Sequence, residues 1–275
     1  MRKVVDSNLL QTLELKAYLN ASDGNEVVLI DYAAMEAYKG DALKSIYKSM
    51  EVLSSFPRQV LVLKGTRDVC ALRGRLKGLQ NRMIDRRQTE GFERYCQMLE
   101  RGQRGDRAVE KAILEHSKAA NEHMAKVLGD VADLPEVFGD MAADFSADEL
   151  TILRKRLPFT NELFEKFAKA TMWLAATFFK ELAHPAWPPL HELANTYPFR
   201  FALCAYLLFE QWVADGRPKL VRADKLRNDV VDVSFAAYGT FFDGLLTADK
   251  KLKVIYGGTV ALMQVIAKEF SEPER

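Results

Sequence analysis

NEVVLIDYAAMEAYKGDALKSIYKSMEVLSSFPRQVLVLKG, residues 25–65, is the stretch that decides the fold. Val27 to Ile30 is a continuous apolar run entered from the turn residues Ser22-Asp23-Gly24-Asn25, and Gln59 to Leu63 is a second such run after Pro57. Neither alternates polar with apolar, which is the pattern of strands covered on both faces. Between them, Tyr32 to Tyr38 reads as a helix ended by Gly40, and Ala42 to Leu53 as an amphipathic helix. Toward the N-terminus, Lys3 to Val5 is a third short strand, and Ser7 or Asn8 can cap a helix from Leu9 to Tyr18. Strands alternating with helices across short links predict a parallel sheet covered by helices.

In the other direction the pattern changes. From Thr66 to about Asp215 the periodicity is helical, with helices expected over Arg67–Arg87, Thr89–Arg101, Ala108–Leu128, Ala147–Arg156, Asn161–Leu182 and Phe199–Val213. Breaks are expected at Gly102 to Gly105, at Pro135, at Pro158 and across His184 to Pro189. Beyond that block, Lys225 to Tyr238 reads as a helix, Phe242 to Leu246 and Lys253 to Tyr256 as strands, and Thr259 to Phe270 as a last helix after Gly257-Gly258. The expected organisation is an α/β core built from residues 1–65 and 216–275, with an all-helical insertion over residues 66–215.

A chain of 275 residues with 48% hydrophobic content can bury a sizeable core without staples. Its three widely spaced cysteines, Cys70, Cys96 and Cys204, argue against a disulfide framework and for a reducing, cytoplasmic setting. No signal-peptide pattern marks the N-terminus. The most apolar windows, Phe167 to Leu182 and Phe199 to Val213, fall short of the roughly 20 residues needed to cross a bilayer, so no membrane partner is expected. A net charge of +1 provides no global field for nucleic acid, and any such contact must be local. Lys64 to Arg87 is the one basic stretch, with Arg73, Arg75 and Lys77 at its centre. It reads either as a backbone-tracking patch or as a solvated helix face.

In open parallel sheets the functional crevice lies outside the carboxyl ends of the strands. Asp6 and Asp31 end the first two strands, Glu36 follows within the next helix, and Asp249 follows the last strand. Asp229 and Asp232, three apart on one helix, face the same way. Carboxylates gathered in one crevice repel each other unless a cation joins them, and hard oxygen ligands suit Mg²⁺ or Mn²⁺. The bland alternative for any single aspartate is helix N-capping.

VVDSNLL at residues 4–10, DYAAMEAYKG at 31–40 and RNDVVDVSFAAYGTFFDGLLTADKKL at 227–252 together resemble PIN-domain nucleases. That resemblance implies a PIN-like three-layer core. It makes Asp6 and Asp249 the strand-end aspartates that hold the metal, Glu36 the helix carboxylate, and Asp232 or Asp229 the third aspartate. It gives Asp243 a supporting part, Asn8 and Thr247 an orienting one, and Lys225 or Arg227 a phosphate contact. The helical block has no counterpart in the compact members of that family.

The function expected is a divalent-metal-dependent nuclease, an endoribonuclease of toxin or defence type, with Mg²⁺ or Mn²⁺ as cofactor and RNA ahead of DNA as partner. Two alternatives stay open: an inactive PIN-like scaffold that binds a partner through the helical block, and a structure-specific DNA nuclease. A regulatory protein or a second copy of the chain is a further expected partner. His116 and His123 on one helix, His184 and His191 around a proline-rich turn, and the aromatic stretch from Trp173 to Trp212 read better as packing residues than as ligands or base-stacking platforms.

Overall fold

The computed structural model describes residues 1–130, 132–155, 157–181, 187–216 and 223–269; His184 and the Phe270 end of the last expected helix lie outside them. Four strands, β1 (Arg2–Val5), β2 (Glu26–Leu29), β3 (Val60–Val62) and β4 (Leu245–Leu246), form one sheet in the order β3-β2-β1-β4. Every neighbouring pair is parallel, with Val4 opposite Val28, Val28 opposite Leu61, and Val5 opposite Leu246. Val4, Val5, Val27 and Val28 are fully buried at successive positions, so both faces of the sheet are covered. The sheet is therefore closed by strands from widely separated parts of the chain, and all its carboxyl ends share one edge.

After β1 the chain makes a short 3-10 turn at Ser7–Leu9, and helix α1 (Leu13–Asn20) starts only at Thr12, whose Oγ1 accepts from the Leu15 amide at 3.3 Å. The helix expected from Leu9 is displaced because Leu9 and Leu10 both turn into the core. Helices α2 (Asp31–Ala37) and α3 (Ala42–Ser54) follow β2 as expected.

The basic stretch does not form one helix. It divides into α4 (Thr66–Cys70) and α5 (Leu79–Met83), and α6 (Arg86–Gln103) starts anew at its end. Gly74 and Gly78 adopt φ of 103° and 83°, which end helical propagation and leave Arg73, Arg75 and Lys77 on the connecting loop. Beyond it, Ile84 bridges antiparallel to Leu63, and the Asp85 amide donates to the Val62 carbonyl at 2.8 Å. This segment covers the outer edge of β3, which would otherwise offer unpaired backbone groups.

The remaining helices are α7 (Arg107–Asp130), α8 (Leu134–Ala143), α9 (Ala147–Lys155), α10 (Asn161–Glu181), α11 (Leu190–Leu193), α12 (Tyr197–Ala214), α13 (Ala223–Gly239) and α14 (Lys250–Glu269). The break expected at Pro135 falls just ahead of it, between the end of α7 at Asp130 and the start of α8 at Leu134, and the proline sits in the first turn of α8, where it forfeits no helical hydrogen bond. Helix α12 is buried along most of its length and packs against α9, α10, α13 and α14. Arg200 on α12 is itself buried; its guanidinium donates to the carbonyls of Ala194 and Thr240 and lies 3.8 Å from the Phe241 ring centroid. It clamps α12 to the turn that leads into β4.

The strand expected at Lys253 to Tyr256 is helical, because α14 runs unbroken through Gly257 and Gly258. Those glycines are not a turn. A Cβ on Gly258 would come within 3.1 Å of Leu207 on α12, so the missing side chain lets the two helices approach. Among the described residues, no helix is long and apolar enough to cross a membrane.

Candidate active site at the carboxyl edge of the sheet

Asp6 leaves the end of β1 and is 3% exposed. Its amide donates to the Leu246 carbonyl at 2.9 Å, which locks the end of β1 beside β4. The Thr247 hydroxyl, first after β4, donates to Asp6 Oδ2 at 2.6 Å. Thr247 Oγ1 in turn accepts from the Asp249 amide at 3.1 Å, and Asp249 Oδ1 accepts from the Leu252 amide at 2.9 Å. Asp249 thus caps α14 with one oxygen, and the expected capping role and a place in the cluster coexist. Asn8 Oδ1 closes this side by accepting from the Ala248 amide at 3.4 Å.

Glu36 enters from α2. Its Oε2 accepts from Ser7 Oγ, which also stands 3.4 Å from Asp6 Oδ1, while its Oε1 pairs with Lys39 at 3.4 Å. From α13 come Asp229 and Asp232, which differ in one decisive respect. Asp229 is 5% exposed and has both oxygens engaged: Oδ2 accepts from Trp212 Nε1 at 3.1 Å, and Oδ1 pairs with the Lys251 ammonium. Asp232 has a side chain 25% exposed, and among the described residues its one ion-pair partner is the same ammonium, 3.8 Å from Oδ2.

The electrostatics follow from this crowding. Burial pushes the Asp6 carboxyl above its ordinary range, and the charges of Glu36 and Asp249 add to that push. Asp232 is raised to about 7, first by burial and then by Asp6, Asp249 and Asp229, against the opposing pull of Lys251. Leaving aside Asp31, Asp6, Glu36, Asp229, Asp232 and Asp249 form a cluster of five carboxylates with two ammonium groups paired to them, Lys39 and Lys251. Five negative charges less two positive leave an excess of three when all are ionised.

Among the described residues, no three His, Cys, Asp or Glu side chains stand together in a ready-made metal-ligand arrangement. The donor set nevertheless suits a hard divalent cation in kind, being all carboxylate oxygen; Asp6 accepts from Thr247, Ser7 and the Asn8 backbone, Asp249 Oδ1 from the Leu252 amide, and Asp232 is paired with Lys251 at 3.8 Å. Asp31, at the end of β2, is committed elsewhere: it accepts from the Thr66 amide at 2.7 Å and the Thr66 hydroxyl at 2.9 Å, anchoring α4.

Other expected site residues lie apart from this group. Asp243 precedes β4 and exchanges hydrogen bonds with the backbone of Arg2, the first residue of β1, so it stands at the opposite edge of the sheet. Lys225 is exposed in the first turn of α13, and Arg227 donates to Asn228 at 3.4 Å. The residues that follow the basic loop are tied to the amino edge, with Gln80 donating to the Phe241 carbonyl and Arg2 to Asn81. Arg75 and Lys77 are exposed on that loop, and Arg73 lies with its guanidinium carbon 5.0 Å from the Phe179 ring centroid. His116 and His123 pack near the rings of Tyr38 and Tyr32.

Sequence reasoning overlooked three participants. Lys251 sits two positions after Asp249, and no sequence pattern set it apart from the neighbouring lysines. Ser7 read only as a cap, and Trp212 as one of many packing aromatics. No scan of protein-family models finds a match for this chain, and none is found among curated proteins or solved structures.

Proposed function

We propose that this protein is a divalent-metal-dependent nuclease whose centre is held by Asp6, Glu36, Asp232 and Asp249. The observation that carries the reading is the convergence of these side chains, from β1, α2, α13 and the end of β4, at one edge of a parallel sheet with an excess of negative charge. Asp232 takes the place of the third aspartate, because Asp229 has no free oxygen. A cation bound there supplies Lewis acidity, polarising a phosphodiester and making water more acidic. The chain's own part is orientation: Thr247 holds Asp6, Ser7 holds Glu36, and the first turn of α14 holds Asp249.

The resemblance to PIN-domain nucleases puts RNA ahead of DNA as the polymer, and it makes residues 66–215 an insertion that shapes access. With the basic loop tied toward the amino edge, Arg75 and Lys77 suit a distal part of a long substrate better than the scissile phosphate. A second reading, a scaffold that binds a partner through its helical block, is favoured by Phe164 and Trp173 on α10 and by Trp187, which are 46%, 53% and 42% exposed. One assay separates them: labelled RNA and single-stranded DNA are incubated with Mn²⁺, Mg²⁺ or EDTA. Metal-dependent cutting of RNA supports the first reading, and intact polymers under all conditions support the second.

A further inference from the structure

We infer that Lys251 is a built-in counter-ion that occupies the place of a second cation, so that the centre takes one divalent ion and not two. This rests on the metal-centre reading above. Asp229 and Asp232 stand three residues apart on one face of α13, the arrangement that would let two carboxylates share an ion. The Lys251 ammonium fills that position, pairing with Asp229 Oδ1 and lying 3.8 Å from Asp232 Oδ2.

The lysine is held there firmly. It belongs to the first turn of α14, whose start is set by the Asp249 cap. Its partner Asp229 is fixed from the other side by Trp212 Nε1 at 3.1 Å, and Trp212 is 4% exposed, seated edge-on against Phe138 with ring centroids 5.1 Å apart. The chain Trp212, Asp229, Lys251, Asp232 therefore runs from the packed interior of the helical block to the open carboxylates. Lys251 is a positioning residue: it neutralises Asp229, which has no oxygen to spare, and repels any ion that approaches the Asp229 side of Asp232.

The test is Mn²⁺ binding, followed by calorimetry and by the loss of the free-ion paramagnetic resonance signal, with no nucleic acid present. The wild type should bind one Mn²⁺, and Lys251→Arg, which keeps the charge, should bind one with similar affinity. Lys251→Gln keeps a donor for Asp229 but removes the charge, and it should bind its first Mn²⁺ about tenfold more tightly, because a like charge within a few ångströms has gone. Two ions in the wild type, or an affinity unchanged or weakened in a folded Lys251→Gln, would overturn the proposal. If Lys251→Gln fails to fold by circular dichroism, the wild-type and Lys251→Arg stoichiometries still decide. No Mn²⁺ bound to the wild type, or binding that persists in Asp6→Asn, would instead refute the metal centre itself.

Discussion

Asp229 and Asp232 occupy equivalent positions in the sequence pattern, yet packing gives them opposite fates. The repeat of two acids three apart was legible; which of them is free to hold a ligand depends on Trp212 and Lys251, distant in sequence or unremarkable in it. Asp232, raised to about 7 from an ordinary 3.8, binds its proton more tightly folded than unfolded. The stability it contributes is therefore fully present below about 3.8 and is lost as pH rises to about 7. Glu210 on α12 behaves likewise through burial alone, raised from 4.5 to about 8, with Oε1 lacking a hydrogen-bond partner. The metal-free protein should thus melt at a higher temperature at pH 5 than at pH 8.5. Glu210→Gln and Asp232→Asn should each flatten that profile, by on the order of 1–3 kcal/mol at the alkaline end. A profile unchanged by both substitutions would contradict the assignment.

At the scale of elements, continuous apolar runs identified β1, β2 and β3, and the helices between them identified the crossovers that a parallel sheet needs. Two errors share a cause, the ambiguity of glycine. Gly74 and Gly78 lie within a helical periodicity and break it through positive φ, whereas Gly257-Gly258 resembles a turn and is helical. Gly257 meets nothing within 4 Å, so Gly257→Ala should stabilise the protein by about 0.5–1 kcal/mol in denaturant unfolding, the ordinary helix-propensity gain. A loss of stability would mean that the position is a turn after all. Gly102 near the end of α6 is the opposite case. A Cβ there would stand 2.5 Å from the Tyr47 hydroxyl and 2.8 Å from Val109 Cγ1, so Gly102→Ala should cost about 1–3 kcal/mol.

At the scale of the whole molecule, the helical block and the sheet share one continuous core, and they meet at the site through Trp212. Composition could not show this, because a tryptophan that packs and a tryptophan that also donates to a buried carboxylate look alike in sequence. Trp212→Phe preserves most of the packing but leaves Asp229 short of a donor, a loss of about 1–3 kcal/mol. It should also weaken Mn²⁺ binding less than Asp6→Asn does, since Trp212 would touch the proposed ion only through Asp229 and Lys251; calorimetry of both variants checks the order.

Cleavage of a labelled RNA in Mn²⁺ by the wild type beside Asp6→Asn and Asp249→Asn, each variant first shown to be folded, tests the centre most directly. The expected result is cutting that EDTA abolishes and that both substitutions reduce at least about a hundredfold, as follows from removing a carboxylate that would hold the metal. Cutting that survives in either folded variant would contradict a centre built on these two strand-end aspartates.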